Sequence, residues 1–140
     1  MKKFKLTQKE FDEIYSKVPR LCVELIIKNK KGILLTKRNI TPDRGKWHLP
    51  GGTVFFEESL KNTVKRVAKQ ELGLKVQPIK ILGYIEFLRK GYHPVSIVFL
   101  IKANSGRIKL DYQASDFIFT KKIPKNTVKE HKKFLKEYLN

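Results

Sequence analysis

The order of strand-like and helix-like segments predicts an α/β fold, a mixed sheet sandwiched between helices. Three observations carry this expectation. Residues 21–28 and 33–37 read as strands joined by an Asn29-Lys30-Lys31-Gly32 turn. Residues 79–88 and 94–101 read as a second pair across a turn containing Gly91. Between the pairs lies a stretch of helical period that ends on Gly73.

Each element has a local cause. Thr7-x-x-Glu10 is a capping box, and Phe11, Ile14 and Tyr15 give the short helix after it one apolar side. Val18-Pro19 ends that helix. After the first strand pair, a loop with Pro42 and Gly45 leads to residues 47–49 and the pair Gly51-Gly52. Beyond the second pair, 108–112 and 116–120 read as shorter strands. Thr127-x-x-Glu130 reads as a second capping box, opening a C-terminal amphipathic helix with Val128, Phe134, Leu135 and Leu139.

Composition limits the function classes. The 140 residues suit one domain, 1–140, with a substantial core, and 41% hydrophobic content argues against disorder. The longest apolar run, 95–101, is too short to span a bilayer, and the basic N-terminus lacks the apolar segment of a secretory signal. The single cysteine, Cys22, excludes an internal disulfide framework, fits a cytoplasmic setting, and reads as a buried structural thiol. The net charge of +18 favours polyanions in a salt-dependent way. Because the 31 Lys and Arg are scattered along the chain, a lysine-rich bias of the source proteome also accounts for it. Functional use of the charge would be attraction of a phosphorylated small molecule, with RNA as the second choice.

The chemistry concentrates in 51–74, GGTVFFEESLKNTVKRVAKQELGL. Leu60, Val64, Val67, Ala68 and Glu71 fall on one helix face. A carboxylate in an apolar stripe needs a cation or strong donors. A divalent ion, Mg²⁺ or Mn²⁺, meets that need, as would Arg66 or a backbone amide. The glycine pair permits close backbone approach and leaves carbonyls free to coordinate an ion. Glu58 is expected in the first turn, where its charge suits the helix dipole, while Glu57 reads as solvated.

Gly52, Glu58, Arg66, Glu71 and Gly73 carry the spacing of the Nudix hydrolase box, which this stretch resembles, with Val67 and Gln70 at two normally acidic positions. The segment from LTQKEF to HLPGG is similar to the N-terminal half of bacterial GDP-mannose mannosyl hydrolases, a branch that departs from the box at the same two positions. The similarity covers most of the chain and weakens beyond residue 90. It implies a Nudix α/β/α sandwich, a homodimer, and attack of water on the sugar's anomeric carbon with the nucleoside diphosphate departing. It also implies a Mg²⁺ held by Glu71, the Gly51 carbonyl and the Gln113 side chain, with Glu58 as a metal-side or outer-shell carboxylate. Arg38 matches the arginine on the diphosphate, Glu24 the acid on the nucleotide ribose, and Arg66 is expected to orient an acidic neighbour. Read without the family, Arg38 is a strand-end charge and Glu24 could face solvent.

Three departures follow from the same match. Ala114 stands where the branch has a His general base, Tyr112 where it has a metal-side Glu, and Thr53 where it has a second diphosphate arginine. His93 and Asp116 are the substitute bases. The sequence thus supports a Mg²⁺-dependent hydrolase of a nucleoside-diphosphate sugar. Hydrolysis of another nucleoside diphosphate derivative, and a catalytically weak nucleotide- or RNA-binding domain, are the alternatives.

Overall fold

The computed structural model describes residues 5–139. In chain order it comprises α1 (Gln8–Tyr15), β1 (Arg20–Asn29), β2 (Gly32–Arg38), β3 (Trp47–His48), β4 (Gly51–Thr53), α2 (Leu60–Val67), β5 (Lys75–Glu86), β6 (Pro94–Ser105), β7 (Ala114–Thr120) and α3 (Lys129–Leu139). The seven-stranded sheet runs β3-β2-β1-β6-β5, with β4 paired to β1 and β7 to β2. β1 and β6 are parallel and the other pairs antiparallel, so the sheet is mixed, as expected.

β1 lies inside the sheet, and residues 22–27 are all buried. Alternation along a strand sends Val23, Leu25 and Ile27 to one face and Ile26 to the other. The first set packs with Val64, Val67, Ala68 and Leu72 from α2 and the turn after it. Ile26 packs with Leu49, Val98, Val128 and Leu135 against α3. Two apolar clusters therefore clasp the sheet between α2 and α3, the α/β/α sandwich. Glu24, on the Ile26 face, points toward α3. Among the described residues no helix is long and apolar enough to cross a membrane.

The N-terminal capping box forms as expected: the Glu10 amide donates to Thr7 Oγ1 at 3.2 Å and the Thr7 amide to Glu10 Oε1 at 2.9 Å. The second one does not. The Thr127 hydroxyl donates to the Pro124 carbonyl at 2.6 Å, and Glu130 is taken by Arg89 at 2.6 and 2.9 Å. A bidentate charge-assisted pair outcompetes a neutral cap. Arg89 also donates to Asp43 Oδ2 at 2.8 Å, tying the loop after β2 to α3.

Residues 108–112 are not a strand. The Lys109 amide donates to the Leu72 carbonyl at 2.8 Å, docking this segment on the end of the motif helix, while Ile108 and Leu110 pack on the α2-side core. The motif helix also changes character. After α2, Ala68–Leu72 winds as a π-helical turn closed by Gly73 at φ 68°. The Leu74 amide reaches the Ala68 carbonyl at 3.2 Å and the Gly73 amide the Lys69 carbonyl at 3.1 Å, each spanning one residue more than the usual Schellman pairing. Glu71 projects from this widened turn, a form common at functional sites.

Candidate functional site

A cavity of about 1020 Å³ opens between the β4 glycines, the π-turn, the N-terminal helix and α3. Its walls include Glu24, Arg38, Gly51, Arg66, Glu71 and Gln113, so six of the seven expected site residues meet there. They also include five of the chain's 13 acidic residues, Asp12, Glu24, Asp43, Glu71 and Asp111.

Gly51 explains the closeness. The Leu25 amide donates to the Pro50 carbonyl at 2.8 Å, and Glu24 lies opposite Gly51 in the next register position. Bonded and non-bonded pairs alternate in an antiparallel ladder, so Gly51 turns its own N–H and C=O away from β1. Its N–H lies near enough to Glu71 to lower that carboxyl's pKa, and its C=O points to the same side. A Cβ at Gly51 would collide with Glu24 Oε1 and the Val23 carbonyl. At Gly52 it would come 2.9 Å from Val67 Cγ2. The glycine pair is thus what lets strand, helix and Glu24 converge.

Glu71 is pushed up to about 8, by burial first and then by the charges of Asp111 and Glu24, with the Gly51 amide and Arg38 opposing. Asp111 is one of the residues that the sequence pattern does not single out. It accepts from the Gln113 amide at 3.0 Å, and Gln113 Nε2 bridges Asp111 Oδ2 at 3.2 Å and Glu71 Oε2 at 3.4 Å. A half-turn of that amide would present its oxygen instead. The donor set is then two carboxylates, a carbonyl and an amide oxygen, all hard ligands suited to Mg²⁺ or Mn²⁺. No group of three or more His, Cys, Asp or Glu arranged to hold an ion occurs among the described residues.

Glu58, expected as a metal-side or outer-shell carboxylate, lies outside this set and is held by Arg66. It precedes the helix, whose N-cap is Ser59, and it does not line the cavity. Burial alone would raise its pKa. Hydrogen bonds from Arg66, the Phe55 amide and Thr63 instead hold it at about 2. Arg66 grips it at 2.8 and 2.9 Å, donates to the Thr53 carbonyl at 2.7 Å, and lies 3.6 Å over the Phe55 ring. Arg66 therefore does pair with an acidic neighbour, and together they brace the turn between β4 and α2. A pKa lowered on folding stabilises above 4.5, and that contribution fades as the pH falls toward 2. Glu58→Gln is expected to flatten the acid limb of the stability curve between those values, as urea titrations at successive pH would show.

The two missing motif acids have other work. Val67 is 1% exposed in the α2-side core, and Gln70 accepts from Arg66 at 3.1 Å. Arg38 follows a register shift in the β2–β7 ladder, and its Nε donates to the Pro42 carbonyl at 2.6 Å, fixing it at the cavity wall. Arg20 was not expected here. Its Nη1 donates to Thr53 Oγ1 at 2.8 Å, and its guanidinium lies 5.2, 5.9 and 5.7 Å from the Phe11, Tyr15 and Tyr92 rings, all on the cavity. Of the substitute bases, His93 lines the cavity, whereas Asp116 is exposed and lines no part of it.

The chain matches the family model described as NUDIX domain over residues 18–138. It is 43% identical over 77 residues to the low-salt glycan biosynthesis protein Agl8 of Haloferax volcanii, covering 55% of this chain and only 49% of that relative. It is 32% identical to the ADP-ribose pyrophosphatase of Methanocaldococcus jannaschii, over 86% of this chain and 73% of that protein. Among solved structures, the MutT protein of Methanosarcina mazei Go1 superposes with a TM-score of 0.78 at 27% identity, covering 87% and 94% of the two chains. A MutT NUDIX hydrolase of Burkholderia pseudomallei gives 0.79 at 27%, covering 86% and 98%.

Proposed function

The chain belongs to the NUDIX domain family of hydrolases, and we propose that within it the protein hydrolyses a nucleoside-diphosphate sugar with the help of Mg²⁺ or Mn²⁺. The observation that carries this reading is the division of the cavity. Oxygen ligands gather at Glu71, and the guanidinium groups of Arg38 and Arg20 share the same walls. Both ends of a metal–diphosphate complex find a partner. The names of two relatives, a glycan biosynthesis protein and an ADP-ribose pyrophosphatase, add a sugar to the diphosphate.

The ion, when bound, neutralises phosphate oxygens and eases departure of the diphosphate. Glu71, Asp111, Gln113 and the Gly51 carbonyl would hold it. Arg38, fixed through Nε, keeps its terminal nitrogens for phosphate oxygens, and Arg20 supplies the second guanidinium where Thr53 replaces an arginine. Glu24 offers a carboxylate to a ribose hydroxyl. His93 is the candidate base, and Arg66 with Glu58 keeps the glycine turn in place. With Val67 sealed in the core, the ligand set suits a single ion and favours attack at the anomeric carbon. The ADP-ribose pyrophosphatase relative favours a second reading, attack at phosphorus. A homodimer in the cytoplasm, implied by the family resemblance, completes the proposal; light scattering checks the dimer.

Incubation with GDP-mannose, ADP-ribose and other nucleotide sugars should give Mg²⁺-dependent turnover of at least one, and turnover of none rejects the proposal. Solvent ¹⁸O recovered in the sugar assigns attack at carbon, and ¹⁸O in phosphate assigns attack at phosphorus.

A further inference from the structure

We infer that His131, on α3, is a specificity residue that donates a hydrogen bond from Nε2 to a hydroxyl of the substrate's sugar or ribose, beside the Glu24 carboxylate. The inference rests on the reading that the cavity takes a sugar-bearing nucleotide.

His131 is 2% exposed, yet it lines the cavity wall. Its Nδ1 accepts the Leu49 amide hydrogen at 2.9 Å. In the neutral ring the remaining hydrogen is therefore on Nε2. The ring is packed by His48, stacked at 5.8 Å, and by Phe87, edge-on at 5.5 Å, so Nε2 has a fixed direction. That atom is nevertheless buried without a hydrogen-bond partner, the only such side-chain nitrogen or oxygen among the described residues. Glu24 Oε2 is 3.5 Å away, within ionic reach but forming no hydrogen bond.

An orphaned buried donor costs about 1–3 kcal/mol, so its retention calls for a ligand that satisfies it. Glu24 completes the pattern. Its Oε2 accepts from Ser96 Oγ at 2.8 Å, which fixes the carboxylate, and the carboxylate also lines the cavity. A fixed acceptor and a fixed donor 3.5 Å apart match a hydroxyl, which donates through its hydrogen and accepts through its oxygen. A bare phosphate would be repelled by Glu24, and an apolar group would leave both partners unsatisfied. Ribose and the attached sugar both carry such hydroxyls, and singly deoxygenated analogues separate them.

The decisive variant is His131→Asn, whose side-chain oxygen can still accept from the Leu49 amide while the Nε2 donor is lost. With the nucleotide sugar that the wild type turns over best, kcat/KM should fall about 5–30-fold, the worth of one such bond. The loss should vanish with the analogue lacking the recognised hydroxyl, whether that lies on the ribose or on the sugar. An unchanged kcat/KM, or an equal loss against every singly deoxygenated analogue, overturns the inference while leaving the hydrolase reading intact. If the variant fails to fold, ¹⁵N-histidine-labelled wild type provides the test. The Nε2–H resonance should move to a hydrogen-bonded shift with the parent compound and not with one deoxy analogue; a resonance unmoved by any compound that binds overturns the assignment. If no nucleotide sugar binds at all, the proposed function fails and this inference with it.

Discussion

Glu71→Gln is expected to lower kcat about 10³-fold, the loss of several kcal/mol of charge stabilisation at the reacting diphosphate. It should also change stability in a direction that identifies the cause. In the metal-free protein the Glu71 carboxyl holds its proton up to about pH 8, against 4.5 for an ordinary glutamate. A pKa raised on folding costs nothing below 4.5, and the penalty grows as pH climbs through the folded value. The metal-free wild type should therefore lose up to about 4–5 kcal/mol between pH 4.5 and 8 from this residue alone. The Gln variant should not show that slope. Adding Mg²⁺ should restore the wild type at pH 8 and leave the variant unchanged. At pH 7 metal binding should expel close to one proton, readable by calorimetry in two buffers of different ionisation enthalpy.

Gly51→Ala is the second large effect. The added methyl meets the Val23 carbonyl and Glu24 Oε1, one of them backbone held in the ladder, so strand and carboxylate must both shift. Overpacking of this kind costs about 1–3 kcal/mol, and here it displaces the Gly51 carbonyl as well. Metal-dependent turnover should fall at least as far as in a destabilised but intact enzyme, and Mg²⁺ should no longer raise the melting temperature. Gly52→Ala is a graded control, because its methyl crowds only the Val67 side chain, at 2.9 Å, and no backbone atom. Equal, small losses at both positions would show that close approach at Gly51 is not what builds the site.

The parts of the fold that were legible in the sequence have local causes. The Asn29–Gly32 turn sets the β1–β2 pairing, the Thr7–Glu10 box sets α1, and the apolar stripe through Leu60, Val64 and Val67 sets α2 and its buried face. Gly51 and Glu71 are singled out by the spacing of the box, and Arg38 and Glu24 by the family resemblance, and all four line the cavity. The rest depends on contacts between distant segments. Residues 108–112 have the composition of a strand, but the Lys109 amide docks on the Leu72 carbonyl instead, which holds Asp111 near Glu71. Arg20 reaches Thr53 across 33 positions, and His131 meets Glu24 only because α3 packs on that face of the sheet. Glu130 looked like a cap because its spacing from Thr127 was right, but Arg89, 41 residues earlier, holds it instead. Glu58 matches the motif by spacing, and in the fold the Arg66 guanidinium holds it.

The most direct measurement is anomalous diffraction from crystals grown in Mn²⁺ with a nucleoside-diphosphate sugar. The expected result is an Mn²⁺ peak bonded to the Glu71 carboxylate and the Gly51 carbonyl, with diphosphate oxygens completing its shell and Arg38 on the far side. A Glu71 side chain turned from the cavity, with bound nucleotide and no Mn²⁺ peak beside it, would contradict the metal-centred chemistry.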